Sequence, residues 1–111
     1  MLTYYTNRFV PASARGCCRG FVIFIRPQYK NDRGLLEHEK VHRKQWLRTL
    51  GLHSFCYAFV KECRLDSEVE AFNEQAKWYD DDRLPHFAKL IATRYNLRVT
   101  EAEALDLLKA A

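Results

Sequence analysis

No apolar run in this 111-residue sequence approaches the roughly 20 residues that a membrane-spanning helix needs; the longest, FVIFI at residues 21–25, is far shorter. The opening residues, MLTYYTNRFVPAS, lack the basic start and long apolar stretch of a secretory leader. The expectation is a cytoplasmic protein with no membrane association. Zinc knuckles are missing as well: Cys17, Cys18, Cys56 and Cys63 form no C-x-x-C pair. All four are expected to be reduced thiols with packing roles. Glycine and proline are scarce, at 4 and 3 residues, which excludes collagen-like and linker-rich chains. Repeats and low-complexity tracts are absent too. The net charge is only +4, which permits an acidic partner without pointing to nucleic acid.

What remains is the composition of a globular domain, 48% hydrophobic and 29% charged, with 7 Phe, 6 Tyr and 2 Trp to build a core. The length allows one such core, so residues 1–111 are expected to form a single domain. LTYYTNRFV and GFVIFIRP are rich in β-branched and aromatic residues and read as strands, with PASARGCCRG between them as a loop. Asn31 or Asp32 then caps a helix through GLLEHEKVHRKQWLRTL, closed by Gly51 as a left-handed glycine with Leu52 behind it. Ser54 caps a second helix, FCYAFVKECRL. SEVE, Ser67 to Glu70, reads as a capping box that starts a third, running on through AFNEQAKWYDD with Val69, Phe72, Ala76 and Tyr79 as its apolar stripe. Pro85 suits the first turn of a fourth helix, PHFAKLIATRY, which Asn96 stops. TEAE, Thr100 to Glu103, is a further capping box and opens a fifth. The fold class is therefore α+β and mostly helical, a small N-terminal β-element followed by about five helices.

The chemistry is concentrated in HEKVH. His38 and His42 are four residues apart, so on a helix they share one face and their imidazoles can converge on one cation. Glu39 is rotated by about 100° from that line, which suits it to act as a base on water beside the ion rather than as a third ligand. A third ligand must come from elsewhere, because Gln45 and Arg48 stand where a further nearby histidine would be needed. LDSEVEAFNEQ offers two glutamates. Glu70 is occupied if Ser67 caps the helix, whereas Glu68 shares a face with Gln75 and with Ala71, small enough to admit a neighbouring helix. Glu68 is the expected ligand and Glu70 the runner-up.

HEKVHRKQW followed by SEVEAF resembles the gluzincin clan of zinc metallopeptidases, in which HExxH is completed by a glutamate on a later helix. The similarity is greatest to the very short minigluzincins and to small HExxH proteins of phages and prophages. It covers residues 21–79, and Glu68-Val69-Glu70-Ala71 matches the E-x-x-A form of several such families. The resemblance implies a minimal zincin-like domain in a bacterial or phage-infected cell, with zinc held by His38, His42 and Glu68 and with Glu39 as general base. It also implies that the strand at residues 21–26 is the edge along which a peptide lies extended. Phe72 stands where some families carry an aspartate that orients a ligand histidine, so that hydrogen bond has to come from elsewhere or be missing. Tyr57, Tyr79 and His86 are candidates for oxyanion stabilisation, with packing as the competing role for each.

The expected function is thus hydrolysis of protein or peptide substrates. Lys40, Arg43, Lys44 and Arg48 on the flank of the helix, with Arg26, Lys30 and Arg33 upstream, would favour acidic segments. The alternatives are a zinc-stabilised phage structural or host-modulating protein without turnover and, ranked last, a nucleic-acid-binding domain, for which no recognition motif is present.

Overall fold

The computed structural model describes residues 2–111. Three short strands, β1 (Thr3–Tyr5), β2 (Gly16–Arg19) and β3 (Val22–Ile25), form a sheet in the order β1–β3–β2. β3 pairs in parallel with β1 and antiparallel with β2. Two expectations are corrected here. GCCR is a strand rather than loop, although its side chains carry little strand preference, because β3 offers it a full ladder through a two-residue turn with Gly20 at φ 64°. Residues 21–26 do not form an edge, because β3 is the central strand. The edge next to the helices is β2. The register and the bond from Arg26 N–H to Arg15 C=O (2.9 Å) turn the paired backbone groups of Arg15, Cys17 and Arg19 toward β3. Those of Gly16 and Cys18 therefore face outward.

A 3-10 turn, Pro27–Tyr29, leads into α1 (Arg33–Arg48). Asp32 caps it as expected, accepting from the Leu35 N–H at 3.1 Å. The helix ends one residue differently from expectation: Leu50, not Gly51, takes the left-handed C′ position at φ 52°. Its N–H bonds back to Leu47 C=O and that of Gly51 to Trp46 C=O, a Schellman pair. Gly51, also left-handed at φ 89°, then starts α2 (Leu52–Phe59).

α3 (Lys61–Ala76) begins where Val60 becomes extended, φ −116° and ψ 111°. The expected second helix through residues 55–65 is therefore broken, and Ser67 lies buried within α3 instead of capping it. Cys56 and Cys63 join across the break as a disulfide with Cα atoms 5.8 Å apart, which corrects the expectation of four reduced thiols. Cys17 and Cys18 are free. α4 (Leu84–Arg94), with Pro85 in its first turn, Asn96 at φ 52°, and the Thr100–Glu103 capping box of α5 (Glu101–Ala110) match expectation.

Phe72, Phe87, Ile91, Leu97 and Leu108 form the main core between α3, α4 and α5. Ile23, Ile25 and Leu35 make a smaller one between the sheet and α1. α1 is thus clasped by the sheet on one side and α3 on the other. No helix among the described residues is long and apolar enough to cross a membrane.

Candidate metal centre

Between α1 and α3 the core changes character. His38, Glu39, Gln45, Ser67, Glu68 and Gln75 are all buried, and Ala71, fully buried on the Glu68 face, lets the helices approach. Burying so many polar groups is unfavourable unless each is paired or a cation compensates them. Most of the pairing is internal, and the remainder points to one place. His38 Nε2 and His42 Nε2 are 3.2 Å apart, and Glu68 Oε1 lies 3.4 Å from the first and 3.2 Å from the second. Tetrahedral zinc with nitrogen and oxygen ligands at about 2.0–2.1 Å sets those atoms about 3.3–3.4 Å apart. The three donors therefore already have the spacing of one face of such a site, and this group could hold a metal ion.

Each donor is aimed differently. Gln45, three residues after His42, donates from Nε2 to Glu70 Oε1 (2.6 Å) and Ser67 C=O (3.3 Å), which turns its Oε1 toward His42 Nδ1 at 3.0 Å. The Ser67 hydroxyl donates to the same Oε1 at 2.5 Å. His42 thus keeps a hydrogen on Nδ1 for Gln45 and turns Nε2 into the cluster, where a metal would take the place of its proton. Glu68, only 2% exposed, accepts the Tyr57 hydroxyl on Oε2 and offers Oε1 to the histidines. His38 has no such support: its Nδ1 is buried without a partner, and its ring meets Phe72 edge-on at 4.4 Å. The hydrogen bond that Phe72 replaces is missing.

The electrostatics reflect a crowded buried cluster. Burial alone would lower the His42 pKa, but the Glu68 carboxylate, with Glu39 and Gln45, outweighs it and holds it at about 9. Burial pushes the Glu68 carboxyl up, yet the two histidines prevail and hold it well below the usual carboxylate range. Glu39 goes the other way: burial, reinforced by Glu68, raises it against the pull of both histidines. Raised carboxyls of this kind are suited to exchanging protons.

The cluster opens onto a cleft of about 360 Å³ lined by Gly16, Cys17 and Cys18 of β2, by Trp46 and Glu39 of α1, and by Tyr57 of α2. The Cys18 thiol is pushed up to about 12, chiefly by burial, and that of Cys17 is also raised by burial, so both stay protonated.

Of the sequence candidates, His38, His42, Glu39 and Glu68 come together here. Glu70 does not; it is half-exposed and bonded to Gln45, with Arg48 at 3.6 Å. Tyr57 reaches the centre, but its hydroxyl is committed to Glu68. Tyr79 is anchored away from it, donating to Asp32 Oδ1 at 2.5 Å, and His86 is exposed on α4. Lys40, Arg43, Lys44 and Arg48 do not line the cleft. Sequence reasoning missed three contributors: Gln45, Ser67 and Tyr95, the last lining the cleft from the end of α4. Gln45 alone left a local signal, its i+3 spacing from His42. No protein-family model, curated protein or solved structure matches the chain.

Proposed function

We propose that the chain is a zinc-dependent peptidase of the gluzincin kind. The observation that carries this reading is the triangle of His38 Nε2, His42 Nε2 and Glu68 Oε1, with the buried Glu39, its carboxyl raised by burial, beside it on the same helix turn. The donor set, two imidazoles and a carboxylate with one position left open, is that of catalytic rather than structural zinc. Zinc bound there would supply a Lewis acid that acidifies a water and polarises a carbonyl.

The chain's own residues do the rest. Glu39 takes a proton from the attacking water and returns it to the departing amine. Gln45 and Tyr57 hold His42 and Glu68 in their orientations. The outward backbone groups of Gly16 and Cys18 pair with an extended peptide, so the substrate adds to β2 as a further strand. Tyr95, whose hydroxyl enters none of the bonds above, is the donor left for the oxyanion; burial and the two nearby carboxylates raise its pKa, so it stays protonated.

Purified protein digesting casein or an internally quenched peptide, with loss of turnover under chelation and in Glu39→Gln while zinc is retained, is the expected result. A Glu39→Gln protein as active as wild type would end the reading. One observation favours a second function, a zinc-stabilised phage or host-modulating protein without turnover: the unsupported His38 Nδ1, a flaw that binding tolerates better than catalysis does. Zinc in the protein with no digestion of any peptide would select it.

A further inference from the structure

The groove continues past the metal centre. A second cavity, about 140 Å³, opens on the far side of His38 and Glu39 and shares Ala14, Gly16 and Tyr95 with the first. Its walls are of another kind. Where the first cavity presents Trp46, Tyr57 and two neutral thiols, the second is walled by Arg15, Arg83, His86 and Arg94. Among the described residues, Arg83 meets one carboxylate, exposed Asp81 at 3.2 Å, and no acidic side chain pairs with Arg15 or Arg94.

All three guanidinium groups are held in place without being used up. Arg15 lies 4.9 Å over the Tyr29 ring and Arg83 3.6 Å over Tyr79, contacts that fix the plane and leave N–H donors free. Arg94 donates one N–H to Ser13 C=O at 2.9 Å, tying α4 to the loop before β2 and closing this end of the groove. Each guanidinium has five donors, so most are unspent. That volume is less than half of the first cavity's. It has room for one side chain or a chain end, not for a long peptide.

We propose that this cavity binds a carboxylate of the substrate, close to the bond presented at the metal centre, through Arg15, Arg83 and Arg94. The inference rests on the peptidase reading and narrows it. The substrate class becomes a peptide with a carboxylate on the β2–α4 side of the centre and apolar residues on the Trp46 side. The carboxylate comes from an Asp or Glu side chain or from the peptide's own C-terminus; the chemistry of recognition, bidentate pairing with guanidinium, is the same. Acid preference thereby becomes positional, which a diffuse field from Lys40, Lys44 and Arg48 would not produce.

The test uses fluorescein-labelled octapeptides bound to zinc-loaded Glu39→Gln protein and read by anisotropy. A single Glu is walked along the peptide against Gln at the same position, and each peptide is made with a free and an amidated C-terminus. At one position, or at the free end, the acid is expected to bind about tenfold more tightly than its neutral partner, a modest yield for charge-assisted bonds. Arg15→Gln should erase that difference and leave binding of the neutral peptide unchanged, and Arg94→Gln should erase it as well, with thermal midpoints confirming that both fold. A side-chain preference identifies an internal acidic residue, a free-end preference the terminus. Equal binding of acidic and neutral peptides at every position, or a preference that survives both substitutions, overturns the proposal. Zinc content of the same samples separates the two failures: bound zinc without preference sinks this inference alone, and absence of zinc sinks the peptidase reading.

Discussion

Without a metal at the centre, raising the pH should weaken the fold in a defined window. In the metal-free protein His42 has its pKa raised to about 9 from an ordinary 6.5, because the buried Glu68 carboxylate favours the imidazolium over the pull of burial. A raised basic group stabilises the fold fully below its unfolded pKa and ceases to do so as the pH rises through its folded one. At about 1.4 kcal/mol per pH unit, the interaction is worth about 3 kcal/mol below pH 6.5 and is gone above pH 9. Glu68 is the same ion pair seen from the other side and is counted once; its depressed pKa means the contribution is lost again as the pH falls below about 4.5. Glu39, raised by burial, contributes a loss of the same sign that begins as the pH rises above its ordinary value, since it must ionise in the interior.

For a domain of this size, the change corresponds to a fall in thermal midpoint on the order of 10 °C between pH 6.5 and 9. A metal bound there would show the opposite trend, because it must displace the His42 proton. Apparent zinc affinity should rise about tenfold per pH unit between pH 6 and 8, with close to one proton released per ion at pH 7. Scanning calorimetry on chelated protein gives the first quantity. Competition with a chromophoric chelator, with calorimetry in buffers of different ionisation enthalpy, gives the second. A midpoint of chelated protein that is flat or rising from pH 6.5 to 9, or a zinc affinity unchanged from pH 6 to 8, would refute the buried pair.

Other perturbations follow from single contacts. Tyr57→Phe removes the donor to Glu68 Oε2 and should weaken zinc binding about 10–100-fold, measured by the same chelator competition, with little change in far-ultraviolet circular dichroism. Gly34→Ala places a Cβ 2.6 Å from the Tyr79 ring; Tyr79 must swing away and give up its bond to the Asp32 cap, costing about 1–3 kcal/mol in urea unfolding. Leu50→Gly should stabilise the chain by up to about 1 kcal/mol, since Leu50 is 88% exposed at φ 52° and loses little packing when the left-handed strain is relieved. Destabilisation in the same unfolding assay would show that Leu50 is held by contacts rather than strained.

Features governed by neighbours three or four residues away were readable from the sequence. Asp32 at the start of α1, the Thr100–Glu103 box and the shared face of His38 and His42 belong to this class. Glu68 was reached partly on a mistaken premise. Glu70 is drawn off not by a helix cap but by Gln45, whose side chain arrives from 25 residues earlier in the chain. Ser67 likewise looked like a cap because the local pattern is that of a capping box, and only the packing of α1 against α3 turns its hydroxyl to Gln45. β2 was invisible because GCCR becomes a strand through its partner rather than through its own side chains. The Cys56–Cys63 bond depends on the bend at Val60, which places the start of α3 beside α2. In each instance the deciding contact is made across space.

The most direct measurement is the zinc K-edge absorption spectrum of the loaded protein, taken alongside metal stoichiometry for wild type and Glu68→Ala. One zinc per chain, bound by two imidazoles and light oxygen donors at about 2.0–2.1 Å and lost or much weakened in Glu68→Ala, is the expected result. Substoichiometric zinc, a sulfur-ligated spectrum, or undiminished binding without Glu68 would contradict the assignment of His38, His42 and Glu68 as the metal's ligands.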